Sequence, residues 1–261
     1  MKDDISARSI STHSAAQTSR IHDSALKHVT GTADYTDDIA LPQGTLHAYL
    51  GVSNVAHATL HGLDLSAVRT APGVVGVLTA ADVPGANDIS PTGRNDEPVF
   101  PTDKIEFHGQ TIFAVIAETR DAARKAARLA KVEYRDLPFW TDIDGALENG
   151  APLVTPGMTL KRGTPETELD KATHRIQSSM RIGGQEHFYL ESHIALAIPG
   201  EDDDVTVWSS TQHPSEIQHI VGHVLDIPSN AITVNTRRMG GGFGGKETQG
   251  NQFAALAALA A

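Results

Sequence analysis

The sequence predicts a mixed fold, α/β or α+β, laid out in two blocks, and three observations carry that reading. Strand-like and helix-like runs alternate from Leu46 to Pro138. A poorly periodic stretch holding several Pro and Gly residues follows, and a second alternating set begins near His174. Such alternation implies sheet and helix layered around a common core.

Residues 1–24 are rich in Ser, Thr and charge and are expected to form a mobile or loosely docked arm. The first block covers residues 25–138. Leu46 to Val52 reads as a strand; a short helix starts at Leu65, Pro72-Gly73 turns the chain, and Val74 to Leu78 returns as a strand. After a Pro/Gly/Asp-rich passage from Pro84 to Pro101, the apolar run "GQTIFAVIAET" predicts a buried strand. "RDAARKAARLAKVEYRDLP" then gives a helix with Ala and Leu on one face, followed by a strand.

Residues 139–173 have little periodicity and are expected to be a linker over the surface. The second block, 174–261, predicts strands at Arg175–Ile182, Ser192–Ile198 and Val205–Ser209, with "EDDD" at Glu201–Asp204 as a solvated hairpin tip. "PSEIQHIVGHVLDI" is helical, with Pro214 at an early position and Ile217, Ile220, Val221 and Val224 forming an apolar stripe. "AITVNTRR" is a strand that delivers the chain into "RRMGGGFGGKE". The closing "GNQFAALAALAA" places Phe253, Leu256 and Leu259 at helical spacing and stops while still apolar. It reads as a helix interrupted in mid-course, from a longer protein or from a chain whose partner covers that surface.

Composition removes several function classes. A net charge of −11 argues against a general nucleic-acid binder, which needs clustered Lys and Arg. With no cysteine, disulfides, thiolate zinc sites, Cys-ligated iron–sulfur clusters and a Cys nucleophile are excluded from this chain. The polar N-terminus has no signal-peptide character and no run is apolar enough for a membrane span, so the expected compartment is the cytoplasm.

The chemistry-bearing feature is "GGGFGGKE", where Gly240–Gly245 holds five glycines around Phe243. It fits G-x-G-x-x-G at Gly240, Gly242 and Gly245, a weak dinucleotide fingerprint because so many glycines satisfy any spacing. It also fits the frame of a P-loop with Lys246 in the lysine slot, but Glu247 stands where Mg²⁺ needs a hydroxyl. A third reading is close strand–helix packing. In "GQEHFYLES", an extended chain would put His187, Tyr189, Glu191 and His193 on one face. A metal site there is disfavoured, because two-residue spacing along one strand seldom converges three ligands; support for the glycine loop is the preferred reading. Lys246 is read as a solvated or structural cation.

A fourth reading rests on resemblance. "GGQEHFYLESHIALAIP", "WSSTQHPSEIQHIVGHVL" and "RRMGGGFGGKETQGN" together resemble the start of the molybdenum-binding subunit of the xanthine dehydrogenases, in the xanthine oxidase family of molybdenum hydroxylases. The Val29–Pro138 block resembles that family's α/β hammerhead domain. The resemblance implies an α+β chain: a hammerhead domain, then the beginning of a molybdopterin-binding domain. It implies a molybdenum–molybdopterin cofactor that hydroxylates a purine with oxygen from water. Gln212 is then expected to donate its amide N–H to a molybdenum oxo group, a task suited to a neutral donor. The loop Gly242, Phe243, Gly244 and Gly245 is expected to run beside the cofactor, the main chain at Phe243 and Gly244 nearest the metal's ligands and the Phe243 ring walling the site. Gln212 and Phe243 are expected as contacts to the molybdenum centre, not as ligands of the metal.

Glu247 is the expected purine-binding acid; aldehyde-oxidising relatives tend to carry an apolar residue there. The general-base acid and a purine-orienting arginine are expected beyond Ala261, so no catalytic residue is assigned within this chain. The 2Fe-2S clusters and FAD are expected on a partner subunit, making a hetero-oligomer. The chain is expected to be an incomplete portion, inactive alone. A non-catalytic interaction fragment and, more remotely, a dinucleotide-binding oxidoreductase are the competing functions.

Overall fold

The computed structural model describes residues 18–261. Most of the expected arm, residues 1–17, lies outside the described residues. Its end is docked: Ser24 is buried, and Asp23 pairs with Arg237 at 2.8 Å.

The first block runs α1 (Ala25–Thr30), β1 (His47–Val52), β2 (Ala58–Asp64), α2 (Ser66–Arg69), β3 (Val74–Leu78), β4 (Lys104–Ile105), β5 (Thr111–Ala117), α3 (Arg120–Ala127) and β6 (Lys131–Asp136). It holds two antiparallel three-stranded sheets, ordered β1-β5-β3 and β4-β2-β6. The apolar run predicted as a buried strand is β5, and every one of its residues is buried. Continuous apolarity has a direct cause, since both faces are covered. Val115 and Ala117 pack with Val68 of α2 and with Ala123 and Ala126 of α3, while Ala114 faces the second block. Thr119 stops the strand and starts α3, its hydroxyl accepting the N–H of Ala122.

The stretch expected as linker contains two short helices, α4 (Ile143–Glu148), capped by Asp142, and α5 (Pro165–Lys171), opened by Pro165. The strand expected at Arg175–Ile182 is not formed; those residues are irregular, and Ile176, Met180 and Ile182 are exposed. Alternation makes a strand only where another strand lies alongside to take up its backbone N–H and C=O groups, and none does among the described residues.

The second core is built from β7 (Ala195–Pro199), β8 (Val205–Ser209), α6 (Pro214–Leu225), β9 (Ile232–Asn235) and α7 (Gly250–Ala260). β7 and β8 are antiparallel, joined through the predicted tip, where Asp202 and Asp203 take positive φ. β8 and β9 are parallel with α6 as the crossover. The predicted stripe of α6 is buried at all four positions, each side chain contributing roughly 1.5–3 kcal/mol of burial.

The apolar character of α7 follows from its place between two cores. Ala254 and Ala258 pack against Val207, Ile217 and Ile232, whereas Ala255 and Leu256 meet Phe100 and Ala114 of the first block and Ile220 and Val224 of α6. A helix covered on two sides has little polar face to show. The fold is therefore α+β, its two blocks joined by a shared apolar cluster. No helix among the described residues is long and apolar enough to cross a membrane.

Candidate functional site

Residues 236–249 lie between the end of β9 and the start of α7, and the glycine loop occupies this irregular run. The tight strand-to-helix turn of a dinucleotide fingerprint is thus not made. Instead Gly245 N–H bonds Gly242 O at 2.8 Å, closing a turn whose central residues, Phe243 and Gly244, have φ of +54° and +92°. These are the signs of a type I′ turn, which favours Gly or Asn at both positions. An aromatic residue there is strained, and backbone strain of this kind points to a function for the side chain or its surroundings.

The other glycines face inward. A Cβ on Gly240 would sit 2.5 Å from Glu191 Cβ, and one on Gly245 would sit 2.5 Å from Tyr189 Cε1. One on Gly242 would meet Gln212 Oε1 at 2.6 Å. Much of the bareness therefore serves close packing against the chain's own residues 187–191 and 212.

Beneath the loop lies a buried ion pair. Lys246 has 0% of its side chain exposed, and its ammonium reaches Glu191 Oε2 at 2.9 Å and Ser210 Oγ at 2.7 Å. It also stands 4.8 Å from the centre of the Tyr189 ring. Glu191 Oε2 accepts further from Ser210 Oγ and, at 2.9 Å, from Gly240 N–H. Burial by itself raises the Glu191 pKa, but the donors Ser210, Lys246 and Gly240 outweigh it and hold the carboxyl below its ordinary value. The Tyr189 hydroxyl and His193 Nε2 share a 2.8 Å hydrogen bond, and His193 stacks on Phe253 of α7 at 4.9 Å. Burial, then the nearby Lys246 charge, lowers the His193 pKa.

These contacts bear on two readings that the sequence left open. The 187–193 stretch is irregular throughout, with Phe188 at φ +51°, so its side chains do not share a strand face. No group of three His, Asp or Glu able to hold a metal occurs among the described residues. Lys246, left open as solvated or structural, is structural. Its ammonium is spent on Glu191, so the lysine slot of a P-loop is also void.

Above the loop the surface is open. Gln212 Oε1 accepts from Gly244 N–H at 2.9 Å and from Lys246 N–H at 3.3 Å. Both partners are donors, so the oxygen must face the loop and the amide nitrogen must face away. The main chain of Gln212 is tied down as well, its N–H on Lys246 O at 2.9 Å. Among the described residues neither the Gln212 amide nitrogen nor the Phe243 N–H donates a hydrogen bond. Phe243 is 76% exposed, Gly244 lies beside it, and Glu247 is exposed one residue beyond the buried Lys246. The structure brings Gln212, Gly242, Phe243, Gly244 and Gly245 together, with Glu247 next in the chain. The Phe243 ring, expected as a wall, stands in solvent with no described residue over it. Outward donors on a stiffly held ledge fit an anionic, acceptor-rich group.

Comparison with known proteins identifies the two blocks. Residues 30–138 match the family described as aldehyde oxidase and xanthine dehydrogenase, a/b hammerhead domain. Residues 149–261 match the molybdopterin cofactor-binding domain. The chain belongs to the xanthine oxidase family. Among curated relatives it is 41% identical to xanthine dehydrogenase of Oryza sativa subsp. japonica over 92% of its length, and 40% identical to xanthine dehydrogenase/oxidase of Gallus gallus, also over 92%. It spans 18% of the length of each. Among solved structures it superposes on the aldehyde oxidoreductase of Desulfovibrio gigas with a TM-score of 0.80 at 27% identity, covering 91% of this chain and 28% of that one. Quinoline 2-oxidoreductase from Pseudomonas putida 86 gives 0.76 at 25%, covering 92% and 33%.

Within this family member, Gln212 and the loop fall in the molybdopterin-binding domain. The sequence reading missed the role of Glu191, Ser210 and Tyr189 as the seat of Lys246. Nothing local signals it: the ion pair joins residues 55 positions apart, and a lysine between Gly-Gly and Glu looks as solvated as any other.

Proposed function

We propose that this chain supplies the cofactor-facing ledge of a molybdenum hydroxylase acting on a purine such as hypoxanthine or xanthine. The observation that carries the reading is the Gln212 amide, its oxygen anchored on two loop N–H groups and its nitrogen without a hydrogen-bond partner among the described residues. When bound, the molybdenum–molybdopterin group supplies the two-electron oxidation of an electron-poor carbon with oxygen from water. The chain's own residues contribute contacts. Gln212 donates to an acceptor oxygen of the group, the main chain at Phe243 and Gly244 lies against it, and the Phe243 ring shields it from water. Glu247 accepts from, and neutralises charge on, the heterocycle.

Purine is favoured over aldehyde by the carboxylate of Glu247 and by the names of the 40–41% identical relatives; the aldehyde oxidoreductase is at 27%. The general base, the purine-orienting arginine and most pterin contacts are supplied by sequence outside these residues, and the 2Fe-2S and FAD groups by a partner subunit. Alone, the chain neither holds the cofactor tightly nor turns over; its setting is a cytoplasmic hetero-oligomer.

The test is elemental analysis of the chain expressed alone and of the full enzyme carrying it, with purine and aldehyde panels for the latter. Stoichiometric molybdenum and purine turnover only in the full enzyme is the expected result. An enzyme that contains molybdenum yet oxidises aldehydes and no purine contradicts the substrate, and molybdenum held by the chain alone contradicts its incompleteness.

A further inference from the structure

We infer that Lys246, seated on Glu191, is the positioning residue of the site: it fixes Gln212 and Glu247 together. The inference rests on the proposed roles of those two residues. Lys246 touches both. Its N–H and its carbonyl oxygen bond the side chain and the backbone N–H of Gln212, at 3.3 and 2.9 Å. Thr211 Oγ1 adds a 3.3 Å bond to the same carbonyl. Glu247 is its covalent neighbour.

The side chain decides where this backbone sits. Its ammonium is held by a carboxylate and a hydroxyl, over an aromatic ring, on a side chain with no exposed surface. Consecutive side chains therefore point apart, Lys246 into the core and Glu247 to solvent. Gly240, the other end of the loop, hangs on the same Glu191 oxygen at 2.9 Å, and its carbonyl accepts Glu191 N–H at 3.3 Å. One carboxylate thus pins both ends of the glycine loop, and Lys246 turns that pin into a fixed height for the ledge. A flexible loop with five glycines in six residues needs such an anchor if it is to present donors in one geometry.

The experiment compares Lys246→Met with the double variant Lys246→Met/Glu191→Gln. The single change strands a buried carboxylate and lowers the thermal midpoint; the double change removes both charges and restores most of it. Amide hydrogen exchange of this chain then reads positioning directly, because the Gly244 and Lys246 N–H groups are those bonded to Gln212 Oε1. In the double variant both are expected to exchange at least about tenfold faster despite the recovered midpoint. In the molybdenum-loaded full enzyme the same variant is expected to lose about tenfold in kcat and to gain in purine KM.

Wild-type exchange and kinetics in the double variant would overturn the inference, leaving the pair a packing device. If Gln212→Ala and Glu247→Gln enzymes also behave as wild type, the proposed site itself fails and Lys246 falls with it. If they are impaired while the double variant is not, only the role of Lys246 fails.

Discussion

The underside and the upper side of the glycine loop are built to opposite rules within one short run of chain. Underneath, glycines abut Glu191, Tyr189 and Gln212, and Lys246 is closed off with its charge matched. On top, Phe243 sits at positive φ in solvent, the Gln212 amide nitrogen has no partner among the described residues, and Glu247 is exposed. The lower face shows what the fold needs of itself. The upper face carries strain and open donors that the fold does not use, which is the signature of a surface awaiting something else.

That contrast can be broken from either side. Lys246→Met attacks the lower face and is expected to cost about 3–5 kcal/mol, because it leaves Glu191 buried without its counter-charge; chemical denaturation measures it. Gly245→Ala places a methyl against Tyr189 and His187, and a loss of about 1–3 kcal/mol is expected in the same assay. Phe243→Gly acts on the upper face and is expected to go the other way. Relief of the positive φ stabilises the chain by about 1 kcal/mol, while molybdenum content and turnover of the full enzyme fall.

Acid gives a smaller and graded effect. His193 and Glu191 both have pKa values below their ordinary 6.5 and 4.5. For groups shifted downward, the contribution to stability is present above the unfolded value and is lost as pH falls through the folded one. The thermal midpoint is therefore expected to decline first below pH 6.5, as His193 takes a proton among Tyr189, Lys246 and Glu186, and again below 4.5. His193→Gln is expected to remove the first decline and keep the second. A midpoint that is flat to pH 4.5 in the wild type contradicts the burial of His193.

Much of the fold was legible in the sequence because it rests on local periodicity. The buried run of β5, the stripe of α6 and the acidic tip between β7 and β8 all appear at the expected places. The misreadings lie where the outcome depends on distant chain. Arg175–Ile182 alternates like a strand and finds no strand to join. The apolar composition of α7 likewise depends on distant chain, because two cores close on it. At the site, the glycine cluster and Gln212 stood out in the sequence, whereas the pairing of Lys246 with Glu191 needed three dimensions. The glycines themselves were legible as close approach, but their nearest partners are in the chain itself.

The central claim is that the upper face of the loop, and not its lower face, receives the ligands. Glu247→Gln in the molybdenum-loaded full enzyme tests it most directly, with the thermal midpoint and the purine KM and kcat measured on one preparation. The expected result is a midpoint within about 1 °C of wild type, since an exposed side chain is changed, with kcat/KM for the purine down at least about tenfold. An unchanged kcat/KM would contradict the account.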